Sequence, residues 1–307
     1  MNRDSMKFGI DSAHDPDGTG AGLNLDQPDR TTEAEWDAFR KQHGTPLGLP
    51  DGLPAWTLFW PDRPDVIKRW RRFNRGGYLP QNQVGWDDVW VRSLASACTF
   101  AVAGFAEGVM YEARLARSVG ASKADFMDSL AVAALCSITM GIYSAHTPSL
   151  KQLLLNWPEH DSGSLTYPEH WTTDRSMLST GITFSEPETN ESELKLINDW
   201  YLKYLGEIPP WVHFLAEFNP SRLKRYRDRF EHILVSLPNQ ALPLFLLSVA
   251  MTDGNEDAIR EFTLMTRGFG VTRNECLEVI FLAGFTLCGQ SRLSTVERAA
   301  GDVLRNW

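Results

Sequence analysis

DDVWVRSLASACTFAVAGFAEGVMYEARLARS (87–118) contains no proline and is dominated by Ala, Val and Phe. A continuous apolar run of this length exceeds any ordinary strand and reads as buried helix. Gly120 follows, where a helix-stopping glycine belongs. Ser122 then opens S-K-A-D, a capping-box-like start with Asp in place of Glu, and a second apolar helix is expected to about Tyr143.

Outward from this pair the character changes. From about His146 to Asn190 the chain is rich in Ser, Thr, Pro and acids, and reads as a long, irregular polar linker over 151–191. Helical pattern resumes near Ser192 and continues to the C-terminus. On the other side, residues 1–45 read as an irregular arm, with one short helix around Glu33 to Gln42 capped by Thr31 or Thr32. No useful period-2 pattern occurs, so the expected fold class is all-α.

The chain has 307 residues and carries 30 basic against 39 acidic side chains, a net charge of −9. That balance gives no global attraction to phosphate backbones or anionic lipid, so neither nucleic acid nor membrane is an expected partner. No run approaches the roughly 20 apolar residues needed to span a bilayer, and the first residues lack the apolar stretch of a signal peptide. The expected location is cytoplasmic. Cys98, Cys136, Cys276 and Cys288 form no C-x-x-C pair and read as buried, reduced side chains.

The chain also repeats itself. Pro54, Pro64, Ile67, Lys68, Arg69 and Trp70 pair with Pro210, Pro220, Leu223, Lys224, Arg225 and Tyr226 at an offset of 156. GASKADFMDSLAVAAL (120–135) matches GVTRNECLEVIFLAGF (270–285) at an offset of 150, with Asp125 opposite Glu275 and Asp128 opposite Glu278. Recurring prolines and glycines are beyond what apolar periodicity alone produces. Two copies of one helical unit are expected, the first over 46–150 and the second over 192–307.

These segments resemble the carboxymuconolactone decarboxylase / alkylhydroperoxidase D superfamily. IPPWVHFLAEFNPSRLKRY (208–226) resembles the opening helices of those proteins, and GVTRNECLEVIFLAGFTLCGQSRLSTVERAAGDVL (270–304) resembles their G-x-T-x-x-E-x-x-E segment and closing helix. In the first copy VRSL (91–94) and ARLARSVGAS (113–122) carry the likeness. The resemblance implies two tandem alkylhydroperoxidase D-like units, a pseudo-symmetric homo-oligomer, and activity without a dissociable cofactor.

The departures from the family pattern matter as much. Eight residues before the helix-end glycine, the family's histidine position holds Glu112 in the first copy and Phe262 in the second. The family's glutamate position holds Ser93 and Pro243. Its cysteine positions fall on Phe105 and Gly108, then on Asn255 and Ala258. Thiol peroxidase chemistry needs a thiolate, so it is excluded, and the second copy reads as structural.

The first copy therefore carries the candidate site. Glu112 in an apolar helix would have a raised pKa and could move protons near neutrality. Glu107, about 140° away around the same helix, would need a partner if buried. Arg92 suits a bidentate carboxylate contact, Tyr111 can donate to a developing enolate oxygen, and Ser93 can orient a substrate. His146 and His213 are candidate proton carriers, and Phe105 and Trp56 could wall a pocket. No histidine spacing marks a metal site, although Glu107, Glu112 and His146 could be assembled into one. KRWRRFNR (68–75) mixes basic and aromatic residues and reads as a solvated or oligomer-facing surface.

The resulting expectation is a cofactor-independent, decarboxylase-like lyase acting on a small cyclic or aromatic-derived acid or lactone. A hydrolase or isomerase on a similar substrate would use the same residues. A silent family member serving as a binding or assembly subunit is the rival from another class.

Overall fold

The computed structural model describes residues 23–24, 27–40, 58–59, 62–74, 89–118, 120–137, 143, 145–157 and 167–307. Among them every regular element is helical, so the chain is all-α. The helices are α1 (Glu33–Phe39), α2 (Pro64–Asn74), α3 (Val89–Val102), α4 (Ala106–Ser118), α5 (Lys123–Cys136), α6 (Pro148–Leu155), α7 (Glu191–Leu205), α8 (Pro210–Phe218), α9 (Pro220–Glu231), α10 (Ala241–Asp253), α11 (Glu256–Gly268), α12 (Arg273–Leu282) and α13 (Arg292–Arg305). A π-helical turn, Ala283–Leu287, extends α12.

The run at 87–118 is two helices rather than one. Gly104 adopts a φ of 77° between α3 and α4, a left-handed turn that only glycine enters at no cost. Gly254 repeats this between α10 and α11 with a φ of 72°. The start of α5 is as expected: Ser122 accepts from the Asp125 amide, and the Asp125 carboxylate accepts from the Ser122 amide. Thr272 and Glu275 close the same reciprocal box at the start of α12. The helix expected to reach Tyr143 ends at Cys136.

α3 and α10 form the centre. Ala241 through Met251 of α10 are all buried, as are Leu94, Ala95, Ala97, Cys98 and Ala101 of α3. Small side chains on α3 leave room for the Leu and Phe side chains of α10. The polar groups caught in this contact satisfy each other: Thr99 Oγ1 and Ser248 Oγ lie 2.9 Å apart, and Thr99 also donates to the Ala95 carbonyl at 3.0 Å. Around this pair the packing is reciprocal. α3 packs on α4, α5 and α12, while α10 packs on α11, α12 and α5. One apolar core runs through both halves, and a second cluster fills the space among α10 to α13.

Two buried lysines fix the helices that precede this centre. Lys68 of α2 is wholly buried, and its ammonium donates to Glu35 Oε1 at 2.7 Å and to the carbonyls of Gln27 and Arg30. Glu35 is itself the third residue of α1 and closes a capping box with Thr32. Lys224 of α9 donates to Glu193 Oε1 at 2.7 Å and to the Glu188 carbonyl, and Glu193 closes a capping box with Asn190 at the start of α7. The same carboxylate thus caps one helix and neutralises a lysine from another. Of the basic stretch read as solvated surface, Lys68 is buried while Arg69 is exposed, and in α9 Lys224 and Arg227 are buried while Arg225 and Arg229 are exposed.

The described residues of the segment expected as a polar linker, 151–157 and 167–191, include docked side chains. α6 crosses its expected start at residue 151. Trp171 and Leu178 are buried in the core, and the Arg175 guanidinium donates to Asn239 Oδ1 and to the Leu237 carbonyl. His170 is exposed, with its ring Nε2 3.1 Å from a Glu275 carboxylate oxygen. Of the cysteines, Cys98 and Cys276 are buried as expected, whereas Cys136 is exposed at the end of α5 and Cys288 is intermediate.

Candidate functional site

Arg92 and Ser93 lie in the first turns of α3, and Glu112 lies in the middle of α4, the helix α3 packs on most heavily. Glu112 is buried beside Val109, Ala113 and Ala116. Burial pushes its carboxyl up to about 8, against a hydrogen bond from Ser93 and the charge of Arg92, both of which pull it down. At neutral pH the group is therefore mostly the neutral acid, able to give up a proton to a carbanion or enolate. Arg92, Ser93 and Glu112 are thus brought together.

A fourth member comes from the other half. Glu278 of α12 is buried, which raises its carboxyl above the ordinary range, and the charge of Arg92 opposes that rise. One guanidinium therefore serves two carboxyl groups, one from each half of the chain. Sequence reading paired Glu278 with Asp128 but gave it no role. The available signal was a glutamate inside the apolar run of α12.

The remaining candidates disperse. Tyr111 is half-buried on α4, one residue and therefore about 100° from Glu112. Glu107 is exposed in the first turn of α4, where the helix dipole favours a carboxylate without any buried partner. Phe105 does not wall a closed pocket: it is 49% exposed in the α3–α4 turn, edge-on to Phe100 with ring centroids 5.3 Å apart. His213 is exposed on α8. Trp56 lies outside the described residues. His146 is exposed just before α6 and lines a groove of about 870 Å³ between α5, α6 and α9 that includes none of Arg92, Ser93 and Glu112 among its lining residues. A metal assembled from Glu107, Glu112 and His146 is therefore not formed, and the described residues hold no group of three or more His, Cys, Asp and Glu side chains placed to share an ion.

The second half, expected to be structural, holds a buried carboxyl of its own. Glu261 of α11 accepts from Trp211 Nε1 at 2.8 Å. Burial pushes it up to about 7, opposed by that hydrogen bond and by Arg227. The Arg227 guanidinium stacks over Trp200 at 4.1 Å and over Phe230 at 4.5 Å, and donates to the Leu178 carbonyl at 2.7 Å. Counting back from Gly270 reached Phe262 and passed over Glu261 by one position.

Fold and site together define an all-α protein in which buried carboxyl groups from both halves of the chain, Glu112 and Glu278, feel the charge of Arg92. The chain matches no protein-family model, no curated protein sequence and no solved structure. Among the described residues no helix is long and apolar enough to cross a membrane.

Proposed function

We propose that the chain is a tandem of two related helical units of the carboxymuconolactone decarboxylase type, and that it acts as a cofactor-independent lyase on a small cyclic or aromatic-derived acid. The observation that carries the reading is the convergence of Arg92, Ser93 and the buried Glu112 between α3 and α4. The tandem is supported by devices that recur at one spacing. The left-handed glycines Gly104 and Gly254, the helix-end glycines Gly120 and Gly270, and the two Ser/Thr–Asp/Glu capping boxes all lie 150 residues apart.

Arg92 holds the substrate carboxylate adjacent to the one that leaves. The carbon–carbon bond to the departing carboxylate breaks, carbon dioxide leaves, and the electron pair passes into a conjugated carbonyl as an enolate. Ser93 donates to that oxygen. Glu112 delivers its proton to the carbanion carbon, becomes a carboxylate beside Arg92, and is reprotonated from water. A hydrolase or isomerase acting on a similar acid would use the same three groups.

The test is carbon dioxide release from a panel of conjugated lactone acids, with Glu112→Gln as the control. The expected result is turnover by the wild type and a loss of about 10²- to 10⁴-fold in kcat for the variant, the usual worth of a positioned proton donor. Absence of turnover across the panel, or equal rates for both proteins, overturns the reading. A second reading, a binding or assembly subunit that forms a homo-oligomer, is favoured by the exposure of Phe214 (61%) and Phe218 (65%) side by side on α8.

A further inference from the structure

The groove between α5, α6 and α9 is separate from the Glu112 cluster. Its floor is apolar, formed by Met127, Leu130, Leu150, Leu154 and Ile233. Its volume of about 870 Å³ falls in the range that encloses an organic ligand and far exceeds what a bare inorganic anion fills. Its rim is charged the other way from the chain as a whole. Lys123 from α5, Lys151 from α6 and Arg229 from α9 approach from three helices, in a protein whose net charge is −9. Arg229 is held at the mouth by a 2.6 Å hydrogen bond to the Ala134 carbonyl. Among the described lining residues the one carboxylate is that of Asp228, 3.2 Å from His232 on the next turn. His146 stands on the same rim.

From this complementarity we infer that the groove binds an acidic amphiphile: a carboxylate head held by Lys123, Lys151 and Arg229, with an aliphatic or aromatic body laid along the Leu and Met floor. The apolar body supplies affinity by removing side chains such as the exposed Met127 and Leu155 from water. The basic rim selects the anion over a neutral molecule of the same shape. Neither requirement involves Glu112, so this site stands or falls apart from the lyase reading.

The experiment is calorimetric titration of the full chain with decanoate below its micelle concentration, with decanol as the neutral comparator. Two variants accompany the wild type. Lys123→Glu with Lys151→Glu reverses two rim charges at positions near helix N-termini, where a carboxylate does not weaken the helix. Ala131→Trp fills the groove from the α5 side. The expected result is saturable one-to-one binding of decanoate that weakens with added salt. Decanol should bind at least about tenfold more weakly, the charge-reversed protein should lose at least about tenfold, and the filled groove should not bind. Absence of saturable binding to the wild type overturns the proposal, as does equal affinity for decanol or indifference to charge reversal. If Ala131→Trp instead moves the protein to a smaller species in sedimentation, the groove is a contact between copies and the proposal fails.

Discussion

Glu112 makes a prediction whose sign can be worked out. Its ordinary value is 4.5, and burial raises it to about 8 in the folded chain. Below pH 4.5 the carboxyl is protonated in both the folded and the unfolded chain. Between 4.5 and about 8 only the unfolded chain has lost the proton, so stability falls as pH rises, by up to about 1.4 kcal/mol per pH unit. Above that window the loss is complete. Glu112→Gln should therefore flatten the pH dependence and make the protein more stable than wild type at alkaline pH. Chemical denaturation at a series of pH values reads this directly, and an unchanged slope would mean that Glu112 is solvated. Glu261, pushed up to about 7, contributes with the same sign over a narrower window, so the difference between the two proteins is the quantity to plot. Glu112, Arg92 and Ser93 were legible because all three lie within one half of the chain and at positions the family resemblance singles out. Glu278 was not, because it reaches the cluster from a helix in the other half, and sequence spacing carries no distance across a fold.

Among elements, the contact between α11 and α7 is the least forgiving. A Cβ added at Gly268 would lie 1.8 Å from the backbone oxygen of Tyr204, a group that cannot swing away as a side chain can. Gly268→Ala should force the two helices apart and cost about 1–3 kcal/mol or more, the penalty of overpacking, read as a lower urea midpoint with an unchanged slope. A neutral result would show that α7 slides on α11. The buried lysines test the other kind of joint. Lys224→Ala removes the buried ammonium that ties α9 to the partly exposed Glu193 carboxylate and the Glu188 carbonyl, and should lower the urea midpoint by more than Lys195→Ala, which removes an exposed pair with Asp199 and should cost less than about 1 kcal/mol. Element type was readable in the sequence, since an apolar run without breakers can only be helix at this length. Element ends were less so. Gly104 sits inside the run and looks like any small core residue until its left-handed φ is known. Lys68 and Lys224 read as surface residues because their partners lie some thirty residues upstream, on helices whose caps had no visible connection to them.

At the scale of the molecule, the reciprocal packing of α3 on α12 and α10 on α5 makes the two halves interdependent. Residues 46–150 and 192–307 read as separate units along the sequence, yet a single apolar core joins them. The docked segment around Trp171 to Ile182 adds further buried contacts. Calorimetry should therefore show one unfolding transition, with a van't Hoff enthalpy matching the calorimetric one. Two resolved transitions would mean that each half is stable alone. The internal similarity was visible from glycines and prolines in register. That the similar segments would share a core was not, because periodicity says which face of a helix is apolar and nothing about which neighbour covers it.

The Thr99–Ser248 hydrogen bond lies where the two halves meet, and both of its ends belong to one polypeptide. Dilution cannot separate them, as it would two associating subunits. A substitution on one side is also not mirrored on the other, as it must be in a symmetric dimer. Position 93 can hold a serine while position 243 holds a proline, and position 112 a glutamate while position 262 holds a phenylalanine. Covalent continuity across that contact leaves each half free to change without the other.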